Sequence, residues 1–445
     1  MKTKLTIALL FLATLTQAQE VTTLTLKDAI TYALENKAEA KSAKLDVENS
    51  NYQIQEVRSR ALPQISANGS LNYNPVLQTT VIDGSSFGQP GTTIQAAFGQ
   101  KWNSVAGVSL NQALFDQSIF VGLKAAKSTR EFYQLNAQLT EEQIIERVSN
   151  AYYQVYVYRE KLSVIDSNLK NTNKVKGIIK GQFDNGLAKK IDLDRISVRV
   201  ANINTQLIQT KNAVAIQENV LKFYIGMPID TKIELPKSEF EVTEQVFALK
   251  PETTNRTEYL LLKKEEQLLG YQKKSIEALY YPSLSLTAGY NYIGQGPEMP
   301  WFRKPADKVY WSDFASIGVN LHIPIFTGFG TRAKVRQAEV KLKQNKLQIE
   351  DTQLALDLDF ENAKKQIENS LETINIQREN AQLAEQVYNN TNNNYSQGLA
   401  PLTDLLDADN ALIEAQNNYT TSLLEYKLAE IQLLKTKGEL KTLTK

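Results

Sequence analysis

The sequence predicts a mixed α and β membrane protein, with short barrel strands carried on very long helices and the whole chain built from two internal repeats. Three observations lead there. Several runs free of Gly and Pro are far longer than a globular helix needs, short segments alternate strictly between apolar and polar residues, and ordered motifs recur at a near-constant offset.

The recurrence covers most of the chain. Leu62-Pro63-Gln64-Ile65-Ser66 returns as Tyr281-Pro282-Ser283-Leu284-Ser285, and Gly107-Val108-Ser109-Leu110 returns as Gly318-Val319-Asn320-Leu321. Phe183-Asp184-Asn185-Gly186-Leu187-Ala188 returns as Tyr395-Ser396-Gln397-Gly398-Leu399-Ala400, and the offsets are 219, 211 and 212 residues. The expected division is a first repeat over 19–225, a linker over 226–250 and a second repeat over 251–445. Each repeat reads helix, strand, loop, strand, long helix, tight turn, long helix, with turns near 184–190 and 395–402.

Residues 123–176, 187–225, 331–397 and 402–437 hold no Gly or Pro. At about 1.5 Å per residue the longest run would reach roughly 100 Å. Phe360, Ile367, Ile374, Ala381, Tyr388 and Tyr395 recur every seventh position, the period of a left-handed coiled coil.

The strands are expected at about 64–74, 104–114, 283–293 and 314–324. Ile65, Ala67, Leu71 and Tyr73 alternate with Gln64, Ser66, Asn68, Ser70 and Asn72, and Ile317, Val319, Leu321 and Ile323 alternate with Ser316, Gly318, Asn320 and His322. The stretch 104–112 alternates less cleanly. These lengths suit transmembrane β-strands with apolar residues toward lipid. Trp102, Trp301, Phe302, Tyr310 and Trp311 are expected in the loops, as an interfacial aromatic belt. Four strands cannot close a barrel, and an open edge in lipid leaves backbone groups unpaired, so several copies must pool their strands.

Composition excludes other classes. Lys2 and Lys4 precede an apolar run ending near Ala18, which reads as a secretory signal over 1–18 and leaves no cysteine to carry an N-terminal lipid. No later stretch is apolar for long enough to cross a bilayer as a helix. Lys+Arg is 50 and Asp+Glu is 49, which gives no basic excess for nucleic acid. With no cysteine and a single histidine, His322, there is little from which to build a thiolate or multi-histidine metal site or a Ser-His-Asp triad. No cofactor, metal or enzymatic activity is expected. His322 falls on the polar face of its strand, lining a lumen or facing a loop.

The pattern resembles the TolC family of outer-membrane efflux proteins over nearly the whole chain. The residues that carry the resemblance are the Leu24-Thr25-Leu26-Lys27-Asp28-Ala29-Ile30 opening, Leu62-Pro63, Ile323-Pro324-Ile325-Phe326-Thr327-Gly328, and the paired turns Asn185-Gly186-Leu187 and Gln397-Gly398-Leu399. The resemblance implies a homotrimer in the outer membrane of a Gram-negative bacterium. Its twelve-stranded β-barrel, four strands per chain, would continue as a long coiled-coil α-helical barrel in the periplasm. The linker and the C-terminal end after 438 would form an equatorial region.

The resemblance also implies partners, namely outer-membrane lipid, a periplasmic adaptor (membrane fusion) protein and an inner-membrane transporter. Gly186, Leu187, Gly398 and Leu399 match the tips that meet the adaptor, and Tyr395, Asp404 and Asp407 match a periplasmic gate. Two plainer roles stand beside these: glycine accepts positive φ in a turn, and acids near a helix start complement its dipole. The family's best-known members carry a basic residue at the position of Ala400, linked to an acid matching Asp192. That link cannot form here, and Lys189 or Lys190 are the candidates to replace it. The competing class is a soluble periplasmic coiled-coil adaptor or scaffold, which explains the helices but not four amphipathic strands.

Overall fold

The computed structural model describes residues 22–88, 90–236, 252–303 and 305–444. The expected signal at 1–18 and most of the expected linker lie outside the described residues. β1 (Thr22–Thr23), α1 (Leu26–Asn36) and α2 (Ala38–Ser59) lead to β2 (Gln64–Tyr73), the small pair β3 (Thr79–Asp83) and β4 (Thr93–Ala97), and β5 (Trp102–Phe115). The long helices α3 (Gln117–Asp184) and α4 (Lys190–Ile225) follow, then β6 (Ile233–Glu234) and α5 (Thr257–Glu277). β7 (Ser283–Gly296), β8 (Tyr310–His322), α6 (Gly330–Ser396) and α7 (Leu402–Lys437) complete the order. The chain divides into two compact units, one formed by 48–132 and 264–346, the other by the remaining segments.

In the first unit β2, β5, β7 and β8 form one antiparallel sheet in the order β2-β5-β7-β8. Register aligns like with like. Ile65, Leu110, Ala288 and Ile317 make one cross-strand row, and Ala67, Val108, Tyr290 and Ala315 the next on the same face. The rows between them are Gln64, Asn111, Thr287, Gly318 and Ser66, Ser109, Gly289, Ser316. Side chains alternate across a strand, so one face is apolar and the other polar. Polar neighbours bond along their face: Ser66 Oγ and Ser109 Oγ lie 2.9 Å apart, and Asn320 Nδ2 donates to Thr287 Oγ1 at 3.1 Å. His322 pairs with Ser283 on this polar face.

Two sequence expectations change, and a third observation gains its cause. Trp102, Tyr310 and Trp311 belong to strands, while Trp301 and Phe302 lie in the β7–β8 connection. Trp311 lies across Gly294, where a Cβ would come within 2.7 Å of the indole, and stacks on Tyr292 with centroids 4.7 Å apart. The β3–β4 hairpin was not expected, because neither five-residue strand is long enough to show a period. The uneven alternation of β5 has a local cause: Val105 takes a place in a polar-face row, between Ser70 and Ile293, and a bulge follows at Ala113/Phe115.

The second unit is helical. Thr25 and Asp28 form a capping box that starts α1, and Lys37 ends it. The Lys37 ammonium donates to the Phe223 carbonyl at 2.7 Å and sits 3.7 Å above that ring. α3 has 68 residues and α6 has 67. Ile165 packs on Ile203 and Leu207 within the α3–α4 hairpin, and Phe360, Ile367 and Ile374 pack on Leu423, Tyr426 and Leu433 within the α6–α7 hairpin. A further cluster draws on all four helices: Ile179, Ile196, Leu402 and Leu405, with Tyr388 and Tyr395 against them. A second apolar set stays exposed on the same helices at heptad spacing, including Ile191 and Val198 on α4 and Leu347, Leu354, Ile376 and Leu383 on α6.

Candidate functional site

The two hairpin turns have the same backbone. Gly186 has φ 74° and Gly398 φ 73°, the left-handed conformation that L side chains avoid. Leu187 N–H donates back to the Gln182 carbonyl at 2.7 Å and Leu399 N–H to the Asn394 carbonyl at 2.8 Å, the longer-range bond of a Schellman ending. A Cβ at either glycine would meet nothing within 4 Å, so backbone conformation and not space demands glycine. The next residue is left standing in solvent, Leu187 81% exposed and Leu399 74%.

α7 begins just past the second turn, and its periodicity sorts three acids. Leu402, Leu405 and Asp409 face inward at helical spacing, while Asp404 and Asp407 are exposed on the other side. Asp404 and Asp407 thus share one face, as their spacing requires. Tyr395 packs against the four-helix cluster, where burial, and then the charge of Asp192, raise its hydroxyl pKa.

Lys189 and Lys190 are exposed and form no ion pair among the described residues. A polar connection between the hairpins is made by Arg199 of α4, whose Nε and Nη2 donate to Asp409 Oδ2 at 3.0 and 2.7 Å. Asp409 is 6% exposed, among Thr172 and Val175 of α3, Ile196 of α4, and Tyr388 of α6. Burial raises the Asp409 pKa, opposed by the hydrogen bond and charge of Arg199. Burial, and then Asp409, raise the Tyr388 pKa. A signal for the pair exists in the sequence, because Arg199 interrupts the stripe Ile196–Ile203 and Asp409 the stripe Leu405–Leu412. Two opposite charges, each in an apolar stripe, are candidates to meet.

Residues 29–227 and 263–439 match the family described as outer membrane efflux protein. The chain belongs to this family. Outer membrane protein TolC of Vibrio cholerae serotype O1 is 23% identical over 339 residues, covering 75% of this chain and 76% of the relative. Outer membrane efflux protein BepC of Brucella suis biovar 1 is 24% identical, covering 97% of this chain and 89% of the relative. The solved structure of VceC, an outer membrane protein from Vibrio cholerae, superposes with a TM-score of 0.73 at 18% identity, covering 93% of this chain and 96% of that one. At that identity the likeness concerns the fold. Membership in the outer membrane efflux family sets aside the soluble scaffold, and the family is one of channel proteins. The two-faced sheet is thereby a membrane sheet.

Proposed function

We propose that this outer membrane efflux protein is a passive duct, assembled from three copies and fed from the periplasm. The observation that carries the reading is the open sheet, apolar on one face and polar on the other, with β2 and β8 at unpaired edges. Each unpaired N–H or C=O in hydrocarbon costs several kcal/mol, so edges in lipid must pair with those of other copies. Three copies of four strands give a twelve-stranded barrel with the apolar face to lipid and the polar face lining water. The exposed heptad positions on α4 and α6 are the helical counterpart, surfaces awaiting neighbouring copies. The recurring element order supports two ancestral repeats, over 19–225 and 251–445.

The substrate enters through the helical tunnel from a periplasmic adaptor protein and an inner-membrane transporter, which supplies the energy. The adaptor meets Gly186, Leu187, Gly398 and Leu399. Three copies of Asp404 and Asp407 ring the entrance, Tyr395 stiffens it from behind, and the ring favours cations. The Arg199–Asp409 pair takes the place of the link that Ala400 cannot make and holds α7 to α4 in the closed state. Fractionation tests the assembly: the protein should partition with the outer membrane and run as a heat-sensitive trimer. Single-channel recording tests the ring. The double variant Asp404→Ala, Asp407→Ala should lose cation preference and block by multivalent cations while remaining trimeric. Unchanged selectivity would leave these acids as helix-terminal charges only.

A further inference from the structure

The two hairpin tips share a backbone but not a charge. Around the first, Lys174, Lys180, Lys189, Lys190 and Arg195 are exposed, against Asp184, Asp192 and Asp194, and none of the four lysines has an ion-pair partner among the described residues. Around the second there is no Lys or Arg from Glu379 to Tyr426, and Glu385, Asp404, Asp407 and Glu414 are exposed. The contrast holds position by position: 212 residues on, Lys180 becomes Asn392, Lys189 becomes Pro401, Lys190 becomes Leu402 and Arg195 becomes Asp407.

Helix stability does not account for the lysines. Lys189 is the N-cap of α4 and Lys190 its first residue, with no side-chain capping bond. Both helices carry a matching acid in the first turn, Asp192 in α4 and Asp404 in α7, but the positive charge of Lys189 and Lys190 opposes the dipole of α4, whereas α7 has the uncharged Pro401 and Leu402 at those places. Each tip also ends in an exposed leucine, an apolar anchor with a charged surround of opposite sign. An anionic bilayer would be attracted to one tip and repelled by the other on the same approach, while a protein carrying both signs can satisfy each.

We propose that the tips are two non-equivalent docking positions for one periplasmic protein, which sets carboxylates against the first tip and lysines or arginines against the second. This rests on the reading that the tips meet an adaptor. In a closed ring the two kinds of tip would alternate, so the partner is held in one rotational register, and its association weakens with salt.

The test uses the full-length protein in detergent and two designed helical hairpins as probes, identical except for glutamates or lysines around a tip leucine. The glutamate hairpin should bind the wild type and lose affinity about tenfold in roughly 0.5 M salt. It should lose at least about tenfold to the Lys174→Glu, Lys180→Glu, Lys189→Glu, Lys190→Glu variant, and less to the corresponding Gln variant. The lysine hairpin should bind the wild type and gain from the Glu variant. No binding of the glutamate hairpin, or binding indifferent to the four lysines, overturns the proposal. So does flotation of the wild type, but not the Glu variant, with phosphatidylglycerol vesicles that the glutamate hairpin does not displace. Export in the native host separates this idea from tip docking itself. The Glu variant should export about tenfold less at equal trimer level. If it exports normally while Leu187→Asp with Leu399→Asp does not, docking stands and the charge assignment falls. If both export normally, the docking reading fails as well.

Discussion

The sheet and the helical hairpins use similar apolar residues in opposite ways. In the hairpins Ile367 and Ile374 are fully buried between helices of the same chain. In the sheet Ile317 is 82% exposed and Val319 60%, yet register aligns them into continuous apolar rows. One region carries its core inside the chain; the other turns its apolar face outward, to be matched by lipid. The same hydrophobic pattern therefore means a packed interior in one place and a solvent-matched surface in another.

The comparison breaks most visibly with truncation. Ile374→Ala should cost about 2–5 kcal/mol in thermal or chemical unfolding of the helical part, through lost burial and a residual cavity. Ile317→Ala should leave unfolding nearly unchanged, since no protein cavity forms. Comparable losses at the two sites would mean the sheet face is packed against protein.

Charge sharpens the two faces of the sheet. Val319→Arg should cost about 2–4 kcal/mol near the bilayer midplane and reduce insertion, whereas Asn320→Arg should insert and alter conductance. Outer-membrane yield and planar-bilayer recording read these effects. Equal insertion of both variants would reverse or abolish the assigned faces.

Within the hairpins, the buried pair introduces a pH dependence. The Asp409 pKa is raised above its ordinary value of 3.8, so the folded chain takes up this proton more readily than the unfolded chain. Its contribution to folding is fully present below the ordinary value and is lost as pH rises through the raised one. Protonation also removes the charge that holds Arg199, while Tyr388, the other titratable group facing it, remains neutral there. Lowering the pH through the raised pKa should therefore increase channel open probability without lowering thermal stability through this group. Asp409→Asn should be more open at neutral pH and have lost this pH response. A response that persists in Asp409→Asn would assign it to another group.

The smallest effect concerns the turns. Gly398→Val should cost about 1–2 kcal/mol of local strain, because a β-branched residue resists the left-handed conformation. Trimer assembly should survive while export falls. Hydrogen exchange at residues 394–402 would register the loosening.

Periodicity is local, and so its consequences were readable in advance. A repeat of two in 64–74 and 316–323 and a repeat of seven in 360–395 arise from how successive side chains project from one backbone. Glycine at 186 and 398 follows from the φ the turn demands. The exposed pair Asp404 and Asp407 and the buried Asp409 could be separated on helical spacing alone once Leu402 and Leu405 were known to face inward. The β3–β4 hairpin was invisible because five-residue strands are shorter than the pattern that would reveal them.

What needed the tertiary structure is everything that joins distant segments. The alignment of apolar rows across four strands depends on register, since a slip of one residue would send each side chain to the other face. That Arg199 rather than Lys189 or Lys190 meets the second hairpin depends on a contact across 210 residues, where only the packing of α4 on α7 decides which charge is carried inside. Local projection sets which residues share a face; only the folded chain sets what that face meets.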